Sequence, residues 1–290
     1  MAAQNVAVEH IIIDGGSTDG TVDLIRKHEN KLAFWTSETD RGQSHAINKG
    51  LQRASGNWFN WLNADDQLAE NALQTVLETA TVNSQVVIGK CMHINTNAKI
   101  IDEGSARIWN SLETTLGNYS MGQPSVFYRT EAVKQLGGLN ENLHLCLDMD
   151  LWFRFLLKHG QSQIQTTEKI LSRFLIHETG KSTAKAHEME AEKYGTYHAL
   201  LRDLELPEIL QKFFAKFPTT DTIEYVLPRG LNKNELLSNF AWHLMVEAYE
   251  NNKMEQCRAY LEVVKKGSRL SKIEKLEWKA RIVSANFLKA

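Results

Sequence analysis

Two apolar runs near the start of the chain stop abruptly at acidic and small residues. Ile11-Ile12-Ile13 is followed by Asp14-Gly15-Gly16-Ser17-Thr18-Asp19-Gly20, and the run from Trp58 to Leu62 is followed by Asn63-Ala64-Asp65-Asp66. A buried parallel strand that delivers polar side chains to a ligand cleft at its carboxyl end has this pattern. Adjacent carboxylates at the end of an aromatic strand are costly unless they face water or a cation. The pattern favours a divalent cation at Asp65 and Asp66 that bridges two phosphates.

Both motifs also have a purely structural interpretation. Acidic pairs in exposed loops are common, and the Asp14 segment could be a tight strand-to-helix connection in which Asp19 caps the next helix. That interpretation leaves Asp14 unexplained, because a carboxylate at the inner end of a strand needs a donor. The segment is neither a P-loop, which requires Gly-Lys-Ser/Thr, nor a Gly-x-Gly-x-x-Gly dinucleotide fingerprint. ATPases and Rossmann-type dehydrogenases are therefore disfavoured.

Apolar runs alternate with helical periodicity in the part of the chain that carries these motifs. The pattern predicts strands at 8–13, 32–37 and 58–62 and helices at 21–30 and 43–53. Strands and helices that alternate at this spacing are typical of βαβ units and a parallel sheet, so the fold class is α/β.

The middle of the chain continues the mixture of strands and helices. The turn-prone Asn95-Thr96-Asn97 predicts a pair of strands at 85–94 and 99–102. Helical spacing of apolar residues and a glycine stop predict an amphipathic helix at 148–159. The remaining patterns predict a helix at 68–82, a strand at 122–129 and a helix at 131–136.

After about Ser182 the sequence becomes helical throughout. Pro207, Pro218 and Pro228 divide these segments, since each proline limits a helix. The clearest of them is a helical pair at 239–264 that is broken near Asn251-Asn252. We therefore expect two domains, with residues 1–190 forming the α/β part and residues 191–290 a helical accessory domain.

Composition excludes several function classes. The 33 basic and 35 acidic side chains leave a formal charge of −2, so no global field would hold the protein to a nucleic-acid backbone. Three cysteines without CxxC spacing indicate neither a zinc site nor a disulfide framework. The sequence shows no secretory signal and no apolar stretch of about 20 residues. A soluble, cytoplasmic protein is expected, which could still meet a membrane through a lipid-linked substrate.

Four segments, in order, resemble glycosyltransferase family 2. They are IIIDGGSTDGT, ETDRGQSHAINKGLQRASGNWFNWLNADD, GQPSVFYRTEAVKQLGGLNENLHLCLDMDLWFRF and SRFLIHETGKST. The resemblance covers roughly residues 5 to 185. It implies a GT-A fold, in which a mostly parallel sheet flanked by helices holds a nucleotide sugar at the ends of its strands.

The resemblance also implies roles for individual residues. The Asp14, Gly15, Gly16 and Ser17 turn would approach the nucleotide base and ribose, and Asp40 and Arg41 would help to hold the base. Asp65 and Asp66 match the DxD-type element that binds Mn²⁺ or Mg²⁺ on the diphosphate, with Asp65 touching both metal and nucleotide. Many relatives carry an aspartate where this chain has Asn63. His177 matches a histidine that contacts metal or diphosphate in some relatives, although a packed or surface histidine is an equal alternative.

Asp148 occupies the position that resembles the catalytic base of the family. Such a base would take the proton of an acceptor hydroxyl as it attacks the anomeric carbon. A glutamate often precedes that aspartate, whereas this chain has Leu147 there, with Asp150 close by. The structural alternative for Asp148 is helix N-capping, which is compatible with catalysis.

One strand of the family pattern has no counterpart in this sequence. Relatives begin with a strand and a Pro-x-Tyr-Asn turn before the strand that here is 8–13, and that first strand lies centrally in the sheet. Three explanations stand: the natural chain starts earlier, another strand or a partner chain fills the gap, or this is a degraded paralogue. Under the second explanation we expect a homodimer that covers the exposed edge.

The expected function is that of an inverting, metal-dependent glycosyltransferase. A sugar would move from a nucleoside diphosphate, uridine-based by expectation, to an acceptor hydroxyl of a glycan, lipid-linked glycan or other compound. The alternative is a non-catalytic nucleotide-sugar-binding or scaffold paralogue. A sugar nucleotidyltransferase would carry a glycine-rich basic loop near its start, which the sequence lacks.

Overall fold

Strands and helices alternate at the start of the chain as the sequence predicts. The computed structural model describes residues 4–217 and 223–287, with side chains described as far as residue 282. The first elements are β1 (Ile11–Asp14), α1 (Thr21–Lys27), β2 (Phe34–Ser37), α2 (Gln43–Arg53) and β3 (Trp58–Phe59). β1 and β2 pair in parallel from Ile11 opposite Phe34 to Asp14 opposite Ser37. Helix α2 has the predicted bounds, and its Gly50 lies against Ile13 of β1.

A larger sheet follows. Its elements are β4 (Gln67–Leu68), α3 (Ala72–Thr79), β5 (Val86–Asn95), β6 (Ile100–Ser105), β7 (Val126–Arg129), α5 (Thr130–Gln135), α6 (Leu147–His159) and β8 (Ile164–Ile176); α4 (Leu112–Gly117) lies between β6 and β7 in the chain. The strand order is β3-β7-β5-β8-β4, with β6 added beside β5. Helix α3 covers one face through Ala72 and Val76, which pack with Val87, Phe127 and Leu171 in a buried cluster.

The α/β class and the flanking helices are confirmed, but the expectation of a mostly parallel sheet is corrected. Among the described strands, the β1–β2 and β5–β8 pairs are parallel, while β3–β7, β4–β8, β5–β6 and β5–β7 are antiparallel. A parallel pair needs a long crossover connection, which α1 supplies between β1 and β2. The β5–β6 pair is instead a hairpin closed at Asn95 to Lys99. The regular βαβ spacing of the first strands does not continue through the larger sheet.

A groove lies between strand β1 of the smaller sheet and strand β3 of the larger sheet. Among the described residues, β1 pairs with β2 alone and β3 with β7 alone, so each strand has one unpaired edge. A groove of about 880 Å³ is lined by Ile11 and Ile13 of β1 and by Trp58 and Phe59 of β3. In the family pattern, the strand that has no counterpart in this sequence would lie beside β1.

The described chain forms two compact units. One comprises Met1–Arg107 and Ser120–Lys193, and the other comprises Ile108–Tyr119 and Tyr194–Ala290. The first unit therefore holds both sheets and the short helix α7 (Lys181–Ala184). The division falls inside helix α8 (Ala186–Leu201).

The second unit is helical. Besides α4 and the end of α8, it contains α9 (Glu208–Phe214), α10 (Lys233–Glu250), α11 (Met254–Val264) and α12 (Lys272–Phe287). The predicted helical pair corresponds to α10 and α11, which are separated at Asn252 with a φ of 58°. Pro207 directly precedes α9, and Pro218 lies outside the described residues. No described helix of either unit has both the length and the apolar character required to cross a bilayer.

The sequence did not indicate that residues 108–119 pack with the C-terminal helices. The contact is polar and buried, because Asn118 Nδ2 donates to Asn239 Oδ1 over 3.0 Å. Arg269 Nη1 donates to the side-chain oxygens of both asparagines, at 2.7 Å to Asn118 Oδ1 and 2.9 Å to Asn239 Oδ1. Such a network satisfies polar groups that burial alone would penalise.

Candidate active site

The turn after β1 is organised by Asp14. Its Oδ2 accepts hydrogen bonds from the backbone N–H groups of Gly16 (3.1 Å) and Ser17 (2.9 Å) and from the Ser37 hydroxyl (2.6 Å). Its Oδ1 accepts from the Ser17 hydroxyl at 2.6 Å. These donors, the Ser17 hydroxyl foremost, lower the pKa of Asp14 from 3.8 to about 2. The hydrogen-bond donors that the Asp14 carboxylate requires are therefore supplied by the turn itself and by β2.

The same turn contacts the loop that precedes α2. Gly16 has a φ of +90°, and a Cβ atom on Gly15 would lie 2.7 Å from Asp40 Oδ2, so both positions suit glycine. Asp40 Oδ1 accepts a hydrogen bond from Gly42 N at 2.8 Å. The predicted nucleotide residues Asp14, Gly15, Gly16, Ser17 and Asp40 are thus brought together.

Arg41 forms an ion pair with Glu141, outside this group of residues. Its Nη2 lies 2.5 Å from Glu141 Oε2, and its side chain is 69% exposed. Glu141 also accepts from Asn48 of α2. Arg41 therefore links the loop before α2 to the segment before α6.

Asp65 and His177 lie side by side. Asp65 Oδ2 is 3.0 Å from His177 Nε2, and the other ring nitrogen of His177 is 2.9 Å from the Thr179 hydroxyl. Asp65 lies in the loop between β3 and β4, and His177 directly follows β8. Their side chains are 40% and 22% exposed, so both can be reached by solvent. The pairing of β4 with β8 brings these two chain segments together.

Asp66 is buried and turned inward, unlike its neighbour. Its Oδ2 accepts from Asn63 Nδ2 at 3.0 Å, and its Oδ1 accepts from the backbone N–H of Leu175 at 3.3 Å. Burial, followed by the charge of Asp65, raises the pKa of Asp66 from 3.8 to about 6. Asp66 thus ties the loop to β8 in the observed arrangement.

The donor set at Asp65 suits a divalent cation in part. Carboxylate oxygen and imidazole nitrogen both bind Mn²⁺-type ions, and ions on diphosphates take most of their other ligands from phosphate and water. Asp65 and His177 therefore fit as two protein ligands, whereas Asp66 keeps its oxygens on Asn63 and Leu175. Within the parts of the chain that the structure describes, no three His, Cys, Asp or Glu side chains are grouped so as to hold a metal by themselves.

A chain of side chains that the sequence did not single out as one group connects these loops. Lys181 Nζ donates to Gln43 Oε1 at 2.8 Å, and Gln43 Nε2 donates to Asn63 Oδ1 at 2.6 Å. Asn63 continues the chain to Asp66. Each member is next to a recognised motif, but nothing in the sequence indicates that the three would meet.

The two aspartates of α6 have different environments. Asp150 is fully buried, and its Oδ2 accepts from Arg154 Nε at 2.9 Å and Nη2 at 2.7 Å. Arg154 also donates to the carbonyls of Leu136 and Gly138, so Asp150 belongs to a structural network. Asp148 is half-buried, and its Oδ1 accepts from Met149 N at 2.9 Å.

The alternative that Asp148 is the N-cap of this helix is corrected. Helix α6 begins at Leu147 with Cys146 as its N-cap, so Asp148 lies within the first turn. A carboxylate there is favoured by the helix dipole. Burial, and next the charge of Asp148, raise the pKa of Tyr128, which places this carboxylate near the end of β7.

The family follows from comparison with known proteins. Residues 2–133 match the model of glycosyl transferase family 2. These residues belong to that family. The matched region includes the Asp14 turn, the Asp40 loop and the Asp65 loop, whereas Asp148, His177 and Lys181 lie beyond it.

Relatives extend the similarity along the chain. An uncharacterised glycosyltransferase of Rickettsia typhi is 21% identical over 222 residues, which is 70% of this chain and 65% of that protein. The chain therefore spans somewhat less than two thirds of the length of that relative.

Solved glycosyltransferase structures share the fold. Residues 1–349 of TarS from S. aureus, in complex with UDP, match 98% of this chain and 82% of their own, with 15% identity and a TM-score of 0.52. A mannosyltransferase from Pyrobaculum calidifontis, in complex with GDP-Man and Mn²⁺, matches 99% of this chain and 79% of its own, with 15% identity and a TM-score of 0.51. At these identities the likeness establishes a GT-A-type fold.

Proposed function

We propose that this protein is an inverting glycosyltransferase that moves a sugar from a nucleoside diphosphate, uridine-based, to an acceptor hydroxyl. The observation that carries the proposal is the contact of Asp65 with His177, in a loop that the hydrogen bond between Asn63 and Gln43 links to the start of α2, directly after the Asp40 turn. The UDP complex of TarS, a protein of the same fold, supports the choice of uridine diphosphate.

The donor would be held by two groups of residues. The Asp14 to Ser17 turn and Asp40 would receive the nucleoside, while Asp65 and His177 would hold Mn²⁺ or Mg²⁺ on the diphosphate. The cation would stabilise the negative charge of the departing diphosphate. The Mn²⁺ complex of the Pyrobaculum mannosyltransferase supports a divalent ion here. In this proposal Asp66 shapes the loop and does not bind the metal directly.

Asp148 would act as the base. Its carboxylate would take the proton from the acceptor hydroxyl as that oxygen attacks the anomeric carbon. The bond between the anomeric carbon and the diphosphate oxygen breaks as the new glycosidic bond forms, so the anomeric configuration inverts. The nucleoside diphosphate leaves with the electron pair of the broken bond.

The proposed enzyme has a catalytic domain and an accessory domain. Residues 1–190 without the segment 108–119 would form the catalytic domain, and residues 191–290 with that segment the helical accessory domain. The acceptor would be a glycan, a lipid-linked glycan or another hydroxyl compound, with no role for nucleic acid. A cytoplasmic location with membrane contact through the acceptor fits such substrates.

A non-catalytic paralogue is the second candidate, because the unpaired edges of β1 and β3 border the groove in the same unit as the site. A panel of nucleotide sugars tested by thermal shift with Mn²⁺, followed by a transfer assay, separates the two candidates. Stabilisation by one donor together with its turnover supports the enzyme, since binding raises the apparent stability. Stabilisation without hydrolysis or transfer supports the paralogue, and no binding of any donor overturns both.

A further inference from the structure

Helix α12 packs on its neighbours through one face. Trp278 lies edge-to-face against Trp242 and Tyr249 of α10, with ring centroids 5.7 Å and 5.3 Å apart. Ile282 is buried one turn further along, and Lys275 Nζ donates at 3.0 Å to the backbone carbonyl directly after α11. Lys275, Trp278 and Ile282 recur at helical spacing, so they define the inner face of α12.

The opposite face of α12 is apolar and exposed. Ile273 and Leu276 are 70% and 65% exposed, and Ala280 continues the same side of the helix one turn later. Spacings of three and four residues place these side chains on one stripe, because an α-helix turns once in 3.6 residues. A surface helix of a globular domain normally turns its apolar stripe inward and its charged side outward. An apolar stripe that faces outward indicates a contact surface.

Charged side chains border this stripe. Lys272 and Lys279 lie along one side of it, are exposed, and form no ion pair with another described residue. Glu277 and Arg281 lie along the other side, with opposite charges. Residues 265–281 contain seven basic and two acidic side chains, whereas the whole chain has a formal charge of −2. Positive charge is therefore concentrated around α12 in a chain that is otherwise net acidic.

We propose that α12 binds the surface of an anionic lipid bilayer, with its axis in the plane of the interface and Ile273 and Leu276 inserted among the lipid headgroups. Helices that lie in a membrane interface combine an apolar stripe, which leaves water, with basic residues beside it, which meet the lipid phosphates. A nucleic acid would attract the lysines but would leave the apolar stripe in water. The bilayer contact is made by the protein itself and requires neither donor nor acceptor.

Vesicle flotation of the full chain tests this proposal. Vesicles of phosphatidylcholine with about one third phosphatidylglycerol present an anionic surface, and vesicles of phosphatidylcholine alone are the neutral comparison. Neither kind contains an acceptor, so flotation reports contact between protein and lipid. We expect the wild type to float with the anionic vesicles, to float less with the neutral ones, and to be released from the anionic ones at high salt, because salt screens the attraction.

Two double variants separate the lysines from the apolar stripe. Lys272→Gln with Lys279→Gln should weaken partitioning into anionic vesicles by about thirtyfold, because each lysine contributes to the attraction. Ile273→Ser with Leu276→Ser should weaken it by about tenfold or more, because less apolar surface leaves water. All four side chains are exposed, and circular dichroism spectra establish that both variants are folded.

The matched controls change exposed residues of the same types in the first compact unit. They are Lys27→Gln with Lys31→Gln and Ile100→Ser with Ile101→Ser, and both should float as the wild type does. Wild-type protein that stays in the lipid-free fractions with both kinds of vesicle would overturn the inference. If the lysine variant loses flotation while the serine variant floats as well as the wild type, α12 carries a general site for polyanions and the bilayer proposal fails. No donor is present in these measurements, so neither result changes the proposed function.

Discussion

Asp65 and His177 are 112 positions apart in the chain, yet Asp65 Oδ2 and His177 Nε2 lie 3.0 Å apart. The cause is the antiparallel pairing of β4 with β8, in which Gln67 is opposite Arg173. Extending that register by two residues brings Asp65 level with Leu175, just before His177. A short ladder of two residue pairs thus assembles a two-residue ligand set from distant segments.

Replacement of either member of this pair should impair metal binding. His177→Gln and Asp65→Asn each remove one of the two protein ligands, so we expect the affinity for Mn²⁺ in the presence of UDP to fall by about tenfold or more, at least the effect of losing an outer-shell partner. Calorimetric titration of Mn²⁺ measures it. His28→Gln changes an exposed histidine at the end of α1 and is the control. Unaltered Mn²⁺ affinity in both site variants would argue against this metal site.

Substitution of Asp148 should impair sugar transfer, whereas substitution of Asp150 should impair stability. Asp148→Asn is expected to reduce sugar transfer by a factor of about 100 to 10,000 while donor binding stays largely intact, because only the base is lost. Asp150→Ala is expected to lower the free energy of unfolding by about 3 to 5 kcal/mol, because it removes the carboxylate that balances the charge of Arg154 in a buried network.

Both variants are compared by initial rates of sugar transfer, by calorimetric titration with UDP and by denaturant unfolding. If Asp148→Asn loses donor binding and transfer to the same extent, its assignment as the base fails. A stable Asp150→Ala protein would show that the Arg154 network contributes little.

Local sequence signals predicted the early elements well. Helix α2 has the predicted bounds, and the helix around Asp148 begins within one residue of its predicted start, because helical periodicity and glycine stops act over a few residues. The hairpin of β5 and β6 was predicted by its Asn95-Thr96-Asn97 turn for the same reason.

Contacts between distant segments of the chain cannot be predicted from the spacing of residues. Neither the inward turn of Asp66 nor the bond between Gln43 and Asn63 follows from spacing. The first depends on how β8 is placed beside β4, and the second on how α2 lies against the loop before β4. The adjacent aspartates look equivalent in the sequence, but in the structure the backbone N–H of Leu175 and the amide of Asn63 both donate to Asp66. The mixed sheet likewise depends on which strands meet, which the alternation of elements does not specify.

The groove bordered by β1 and β3 leads to a prediction about assembly. Each copy of the chain carries the same unpaired strand edges and the same apolar lining, so a two-fold contact would cover both grooves at once. We therefore expect the wild type to sediment as a dimer. Leu77→Lys places a charge at the groove and should weaken the dimer about tenfold or more. Leu24→Lys changes another exposed leucine, which does not line the groove, and is the control. A wild-type monomer at every concentration would exclude the homodimer.

The Asp14 turn gives a pH-dependent stability with a defined sign. The pKa of Asp14 falls from 3.8 to about 2 on folding, so its contribution is fully present above about pH 4 and is lost as the pH falls towards 2. We expect Asp14→Asn to lower the free energy of unfolding by about 2 kcal/mol at pH 7 and by progressively less below pH 4. The difference in the free energy of unfolding is measured by urea unfolding of both proteins, at those values between pH 7 and pH 2.5 at which the wild type is folded without urea. Asp19→Asn, which alters an exposed carboxylate of the same loop, should have a smaller effect, because Asp19 is exposed and accepts its side-chain hydrogen bond from the near neighbour Thr21. A constant difference between wild type and Asp14→Asn across this range would show that the four donors do not hold an ionised Asp14.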